Sequence, residues 1–554
     1  MNSMRRLFLL FLTVFFAVFL VLPLWTVLAH GFEPAILREA LASPVYRAGL
    51  YHAFGIAFLT TALAFALALP PAILFDRYEF PSKSLMNMLM LVPMILPPFV
   101  GALGFQQLFG HYGVFNGLLR EIGLPPVDWL GGNGRFYAVC LIEALHLYPI
   151  LYLNMVTALA NVDPSLDEAA RNLGAGRWDR WRRITLPSIR PGIFAGGSIV
   201  LIWSFTELGT PLMLGYSTVT PVQIFNGITE LESNPMPYAL VVVMLIFAAG
   251  LYALSRLLVG QNEAPQLMKG SGSRTARPLA GWKGWSITGI FVLIVLAAGL
   301  PHLALTGAAF SLDWYDTILP QHATLLHFQT ALSHEIVVPS ILNSLKYSLL
   351  ATAICLVIGL PTALLLVRRR MVGRRLLDLM VMLPLAVPGI VLAFGYLSMC
   401  ARYPWLNRIF DPIENPTLLL AAAYAVRRLP YAVRAIAAGL EQTPPVLEEA
   451  ARNLGAGVWR TLRKITVPLI AANLTAGALF VFSFSMLEVS DSLILAQKSA
   501  GFPITRAIFE LSQILGQGSA IACAFGWWAM LFLAFTLVAA GLLLGRKMGS
   551  LFRF

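Results

Sequence analysis

Of 554 residues, 58% are hydrophobic and only 12% are charged, against about a quarter charged in an average globular domain. That balance excludes a water-soluble fold, which has no interior large enough to hide so much apolar side chain. A net charge of +12 would suggest nucleic acid in a soluble protein, but here Lys and Arg cluster in short segments between apolar runs, the pattern that sets membrane orientation; no nucleic-acid partner is expected.

The first apolar run, Leu7 to Ala29, follows Arg5 and Arg6. It exceeds the roughly 7 to 15 apolar residues of a signal peptide, so it reads as a retained span rather than a cleaved leader. Taking apolar runs bounded by charge, Pro and Gly predicts about twelve spans: near 7–29, 51–74, 86–109, 136–160, 190–215, 237–259, 284–309, 342–367, 376–400, 416–440, 470–496 and 520–545. The expected class is therefore all-α and polytopic. Cys140, Cys355, Cys400 and Cys523 sit singly in or beside these runs, without the spacing of a disulfide framework or a zinc site, and read as small hydrophobes.

Between the sixth and seventh spans, Gln261 to Lys283 includes Lys-Gly-Ser-Gly-Ser-Arg, the composition of a flexible linker. It divides the chain into a first membrane unit, 1–260, and a second, 284–554. The halves repeat each other. Asp167-Glu-Ala-Ala-Arg-Asn-Leu-Gly-Ala-Gly176 returns as Glu448-Glu-Ala-Ala-Arg-Asn-Leu-Gly-Ala-Gly457, identical at nine of ten positions, and Ile184-Thr-Leu-Pro187 returns as Ile465-Thr-Val-Pro468 at the same offset of 281. Pro70, Pro93, Pro97 and Gly104 align with Pro361, Pro384, Pro388 and Gly395 at an offset of 291, so the second copy is shorter by about ten residues in a loop, where deletions are tolerated.

Six spans per copy is an even number, so both copies enter the bilayer from the same side and are expected to be related by a pseudo-twofold axis along the membrane normal. The bias of Lys and Arg places both termini, the linker and both repeated motifs in the cytoplasm. The long outer segment Phe310 to Ile341 carries neither Lys nor Arg.

Ser165 can cap a helix opening Leu166-Asp-Glu, with carboxylates where the helix dipole favours them. Ala169 and Ala170 are small enough for a partner to approach closely. Gly174 and Gly176 can take positive φ and turn the chain. Arg177 to Arg183, rich in Arg and Trp, suits anionic headgroups. The repeated form is Glu-Ala-Ala, three residues, Gly, nine residues, Ile, one residue, Leu, Pro. It resembles the signature of the membrane subunits of bacterial ATP-binding-cassette (ABC) importers. Glu168, Ala169, Ala170, Gly174, Ile184, Leu186 and Pro187 match it throughout; Glu449, Ala450, Ala451, Gly455, Ile465 and Pro468 match it with Val467 in place of Leu.

The resemblance implies a type I ABC importer permease fold in which each loop seats a short helix in a separate ATPase, so that two copies of a cytoplasmic ABC ATPase drive alternating access. ATP and Mg belong to those subunits and this chain carries no cofactor of its own, in keeping with the lack of any G-x-x-x-x-G-K-[ST] phosphate loop in the sequence. A permease of this kind is not itself an enzyme. The fused arrangement, Asp76-Arg-Tyr-Glu-Phe-Pro, the segment from Tyr424 through Arg427-Arg-Leu-Pro-Tyr431, and Glu207-Leu-Gly-Thr-Pro211 resemble the ferric-iron importer permeases of the bacterial inner membrane. That resemblance implies a periplasmic substrate-binding protein as partner. Thiamine, aminoalkylphosphonate and polyamine permeases share the plan. An ATP-independent secondary transporter or a membrane scaffold would leave the duplicated cytoplasmic motif unexplained.

Ionisable residues at membrane depth cost about 2.5 to 3.5 kcal/mol each on insertion scales and are candidates for function. Glu207 and Glu488 occupy equivalent places in the fifth span of each copy. They line the route or pair with arginines. Arg427, Arg428 and Arg434 lie in the tenth span, where the first copy has His146, Leu147, Tyr148 and Pro149. They snorkel to the interface, bind an anionic cargo or chelate, or pair with Glu488. His322, His327 and His334 on the outer side lack a metal-ligand spacing, and no metal ligand is assigned.

Overall fold

The computed structural model describes residues 2–95, 97–230, 234–260, 276–279, 281–369 and 373–544. It is helical almost throughout: among the described residues the one strand pair, Tyr78–Glu79 with Arg277–Pro278, is two residues long. Of the expected linker, 261–283, residues 261–275 and 280 lie outside the described residues.

Among the described residues eight helices are long and apolar enough to cross a membrane, and three bent pairs, each counted as one span, bring the number to eleven. The bends are 92° between Lys83–Met94 and Pro98–Glu121, 97° between Arg374–Ala386 and Gly389–Arg402, and 77° between Val458–Leu469 and Ala471–Met486. At the first two, Pro97 and Pro388 stand just ahead of the second helix, where a missing N–H and fixed φ favour a new start over continuation. The one expected span outside these eleven, the tenth, is the helix Thr417–Gln442, 26 residues long, about 39 Å at 1.5 Å per residue. It is long enough but carries Arg427, Arg428, Arg434 and Glu441, and its burial, rather than its hydropathy, marks it as an interior helix.

Packing divides the chain differently from the repeat. One compact unit comprises Met1–Arg47, Gln223–Ile246 and Leu326–Phe554; the other comprises Ala48–Val222 and Phe247–Leu325. Each unit thus contains the opening helix of the other repeat. In the first unit, Leu22–Gly31 lies against Gly389–Arg402; in the second, Trp282–Phe310 lies against Pro98–Phe109.

The aligned glycines explain both contacts. A Cβ on Gly395 would sit 2.8 Å from the Pro23 carbonyl oxygen, and one on Gly104 would collide with the Pro301 carbonyl and stand 2.8 Å from the Leu305 amide. Only a residue without a Cβ lets the backbones approach so closely. Pro23 cannot donate to the Phe19 carbonyl four residues back, and the Tyr396 hydroxyl donates to that carbonyl instead at 2.6 Å.

In the second unit, Ala64, Ala68 and Ala72 form a small-residue stripe on Pro44–Arg77 that shares a buried core with Tyr148, Tyr152 and Met155 of Gly134–Ala160 and Phe291 of Trp282–Phe310. The Tyr152 hydroxyl donates to Asn87 Oδ1 at 2.8 Å, so the polar tip of a buried aromatic is satisfied. All four cysteines are buried and free of disulfides.

Candidate functional site: paired hairpins and an intramembrane charge cluster

Both repeated motifs fold as the same helical hairpin. In the first copy the helix Pro164–Asn172 leads through Gly174 into Arg177–Arg180, a π-helical turn at Trp181–Thr185, and the helix Leu186–Phe205. In the second, Val446–Asn453 leads through Gly455 into Val458–Thr461, a π-helical turn at Leu462–Thr466, and Val467–Leu469. The extra residue of a π turn rotates the chain as it returns to the bundle.

Gly174 and Gly455 have φ of 82° and 81° with open space around a would-be Cβ, so backbone conformation is what calls for glycine there. Gly176 and Gly457 take φ of −64° and −65°, and the expected positive φ holds for only the first glycine of each copy. The expected cap also moves by two residues: Asp163, not Ser165, caps a helix that starts at Pro164, accepting from the Ser165 amide at 2.9 Å. That bond holds the Asp163 carboxyl below its ordinary range.

Glu168, Ala169, Glu449 and Ala450 are exposed and Ala170 is half-buried, whereas Ala451 is buried. Ile184, Leu186, Pro187 and Ile465 are half-buried on the return leg, and Pro468 is exposed. The same two apolar residues project from each hairpin: Leu173 and Leu454 at 88% and 89% exposure, Trp178 and Trp459 at 70% and 74%. The acidic residue before each motif glutamate is held down. Asp167 pairs with Arg180 at 3.1 Å, and Glu448 pairs with Arg368 at 3.1 Å.

In the second repeat, Glu488 lies where Ala471–Met486 ends and the short helix Ser490–Leu495 begins. Arg427 and Arg428 both pair with its carboxylate, and Arg427 also reaches Asp491 Oδ2 at 3.4 Å. Tyr424, Arg427 and Arg428 share one helix face at spacings of three and four, which also brings the Tyr424 hydroxyl to Ser492 Oγ at 2.7 Å. The Arg428 guanidinium sits 5.5 Å from the centre of the Phe484 ring. Arg434 lies apart, 3.3 Å from Asp378 at a partly exposed site.

Glu207 occupies the equivalent helix break in the first repeat, between Leu186–Phe205 and Gly209–Met213. Its Oε1 accepts from the amides of Gly209 and Thr210 at 3.1 and 3.3 Å, capping the short helix. Asp491 and Glu143 were not singled out from the sequence. Asp491 is fully buried three residues after Glu488, and Glu143 is buried within Gly134–Ala160, accepting from the Ser204 hydroxyl. The available signal was an acid within an apolar run. His146 Nδ1 bonds the Pro93 carbonyl at 2.9 Å. Among the described residues no group of three or more His, Cys, Asp or Glu is placed to hold a metal ion.

Comparison with known proteins places this architecture. A putative ferric transport system permease protein, FbpB 1, of Haemophilus influenzae is 27% identical over 83% of this chain and 71% of its own length. The ferric transport system permease protein FbpB of Actinobacillus pleuropneumoniae is 26% identical over 82% of this chain and 65% of its own. Among solved structures, a bacterial ABC transporter involved in the import of the acidic polysaccharide alginate aligns over 47% of this chain and 98% of its own, with 14% identity and a TM-score of 0.38. The description of the binding-protein-dependent transport system inner membrane component matches residues 68–263 and again 355–544, well over half of the sequence. This chain belongs to that family of inner-membrane transport components and carries its domain twice.

Proposed function

We propose that the chain is the permease of an ABC importer that carries ferric iron, or a ferric chelate, across the inner membrane. The relatives named for ferric transport along most of the chain support the cargo. The observation that carries the mechanism is the pair of hairpins, each presenting the same exposed leucine, tryptophan and motif glutamate. Exposed apolar side chains at the tip of a polar loop suit burial in a partner's groove.

In this reading the hairpins and both termini face the cytoplasm, and each hairpin seats one copy of a separate ATPase subunit. ATP binding and hydrolysis on those subunits rock the two repeats about a pseudo-twofold axis and open the route alternately to each side. A periplasmic binding protein delivers the cargo to the outer loops. Glu207, Glu488, Arg427 and Arg428 line the route. There, opening exchanges internal ion pairs for contacts with cargo or water. Arg434, beside Asp378, borders the cytoplasmic interface.

The test reverses the exposed motif charges together, Glu168→Lys with Glu449→Lys. Because neither side chain is buried, the thermal melting of the chain is expected to stay unchanged. Retention of the ATPase on purification should fall at least about tenfold, equivalent to 1.4 kcal/mol, and ATP-dependent iron uptake in proteoliposomes should be lost. Uptake that persists without ATP, or full retention of the ATPase by the doubly reversed chain, overturns the assignment.

A further inference from the structure

Resting on the reading of the hairpins as ATPase seats, we infer that Arg368 is a positioning residue that ties the second hairpin to the bundle and transmits its movement, and that Arg77 has the same task in the first repeat. Arg368 is the last residue of the helix Val337–Arg368. Its Nε donates to Glu448 Oε1 at 3.1 Å and an Nη donates to the Thr443 carbonyl at 2.8 Å. One guanidinium therefore joins three elements: the end of its own span, the C-terminal cap of Thr417–Gln442, and the hairpin helix Val446–Asn453. Its planar fork directs these bonds along fixed lines, which a flexible ammonium would not.

The burial pattern agrees with a tie rather than a surface ion pair. Glu448 is buried while its neighbours Leu447, Glu449 and Ala450 are exposed, and its second oxygen faces Arg452 at 3.6 Å. A hydrogen-bonded carboxylate removed from water has few alternative partners, so its geometry persists while the hairpin moves. The neighbouring connection through Thr443-Pro444-Pro445 has two residues with restricted φ.

Arg77 takes the aligned place in the first repeat, at the offset of 291 that also aligns Pro70 with Pro361, and ends the helix Pro44–Arg77. Its guanidinium lies 6.0 Å from the centre of the Trp181 ring, at the start of the π-helical turn. The acid equivalent to Glu448 is Asp167, which pairs with Arg180 inside the hairpin. The same arginine thus grips the leading helix of one hairpin through a carboxylate and the return leg of the other through an aromatic face.

The experiment uses the complete complex in proteoliposomes and measures cargo moved per ATP hydrolysed, with ATPase retention and thermal melting as controls. Arg368→Gln is expected to lower that ratio about fivefold or more while the ATPase stays bound. The exchange Arg368→Glu with Glu448→Arg should recover at least about half of it, a rescue that a merely structural residue would not give. Trp181→Leu should lower the ratio in the same way from the first hairpin. Wild-type coupling in Arg368→Gln overturns the inference, as does a folded exchange variant no better coupled than the single one. If Arg368→Gln does not fold, the exchange variant decides. Failure of the unaltered chain to retain any ATPase overturns the seating reading itself, and this inference with it.

Discussion

Glu488 has two guanidinium groups on its carboxylate and almost no solvent, whereas Asp378 and Arg434 meet at 39% and 49% exposure. Both arginine sites come from one helix and look alike in sequence, but burial separates them by several kcal/mol. Removing one member of a buried, hydrogen-bonded ion pair costs about 3 to 5 kcal/mol because its partner is left charged and dry. An exposed pair contributes about 1 kcal/mol or less. Glu488→Ala should therefore lower the melting temperature of the purified chain strongly, while Arg434→Ala should leave it nearly unchanged. Equal melting temperatures would remove the energetic distinction between the two sites.

The hairpin is the element on which the two repeats agree most closely. Both turn at a glycine with positive φ and return through a π-helical turn at the same offset. A Cβ at Gly174 or Gly455 meets nothing within 4 Å, so alanine there is resisted only by the left-handed backbone, at about 1 to 2 kcal/mol. The bundle helices are untouched by that strain. Gly174→Ala with Gly455→Ala should leave global unfolding close to wild type while weakening ATPase retention, and cleavage by limited proteolysis should concentrate in residues 163–185 and 444–466. Gly104→Ala and Gly395→Ala should behave in the opposite way, since a Cβ there meets backbone and the cost falls on the bundle. An unchanged ATPase affinity in the first pair would show that the turn tolerates other backbone shapes.

At the scale of the whole molecule, the repeat and the compact unit are different partitions of one chain. Each unit takes its opening helix from the other repeat, through the contacts at Gly395 with Pro23 and Gly104 with Pro301. A chain split within residues 261–275 should therefore reassemble when both halves are produced together. Either half alone should lack a cooperative melting transition and be degraded in the membrane. A well-folded isolated half, by thermal melting and resistance to protease, would show that the exchanged helices are dispensable.

The apolar runs, the all-helical class and the duplicated motif were legible in the order of residues. A backbone in hydrocarbon must satisfy its own hydrogen bonds, so a run of about 20 apolar residues has little choice but helix. The motif was legible for a different reason: its local spacing was written twice. Local pattern could not assign Arg427 and Arg428 to Glu488 and Asp491, or single out Arg368 as the residue that reaches Glu448. It also gave no sign that Pro23 lies on Gly395. Those pairings join residues 60 to several hundred positions apart, and they arise only when helices close on one another and burial leaves each charge or carbonyl few available partners.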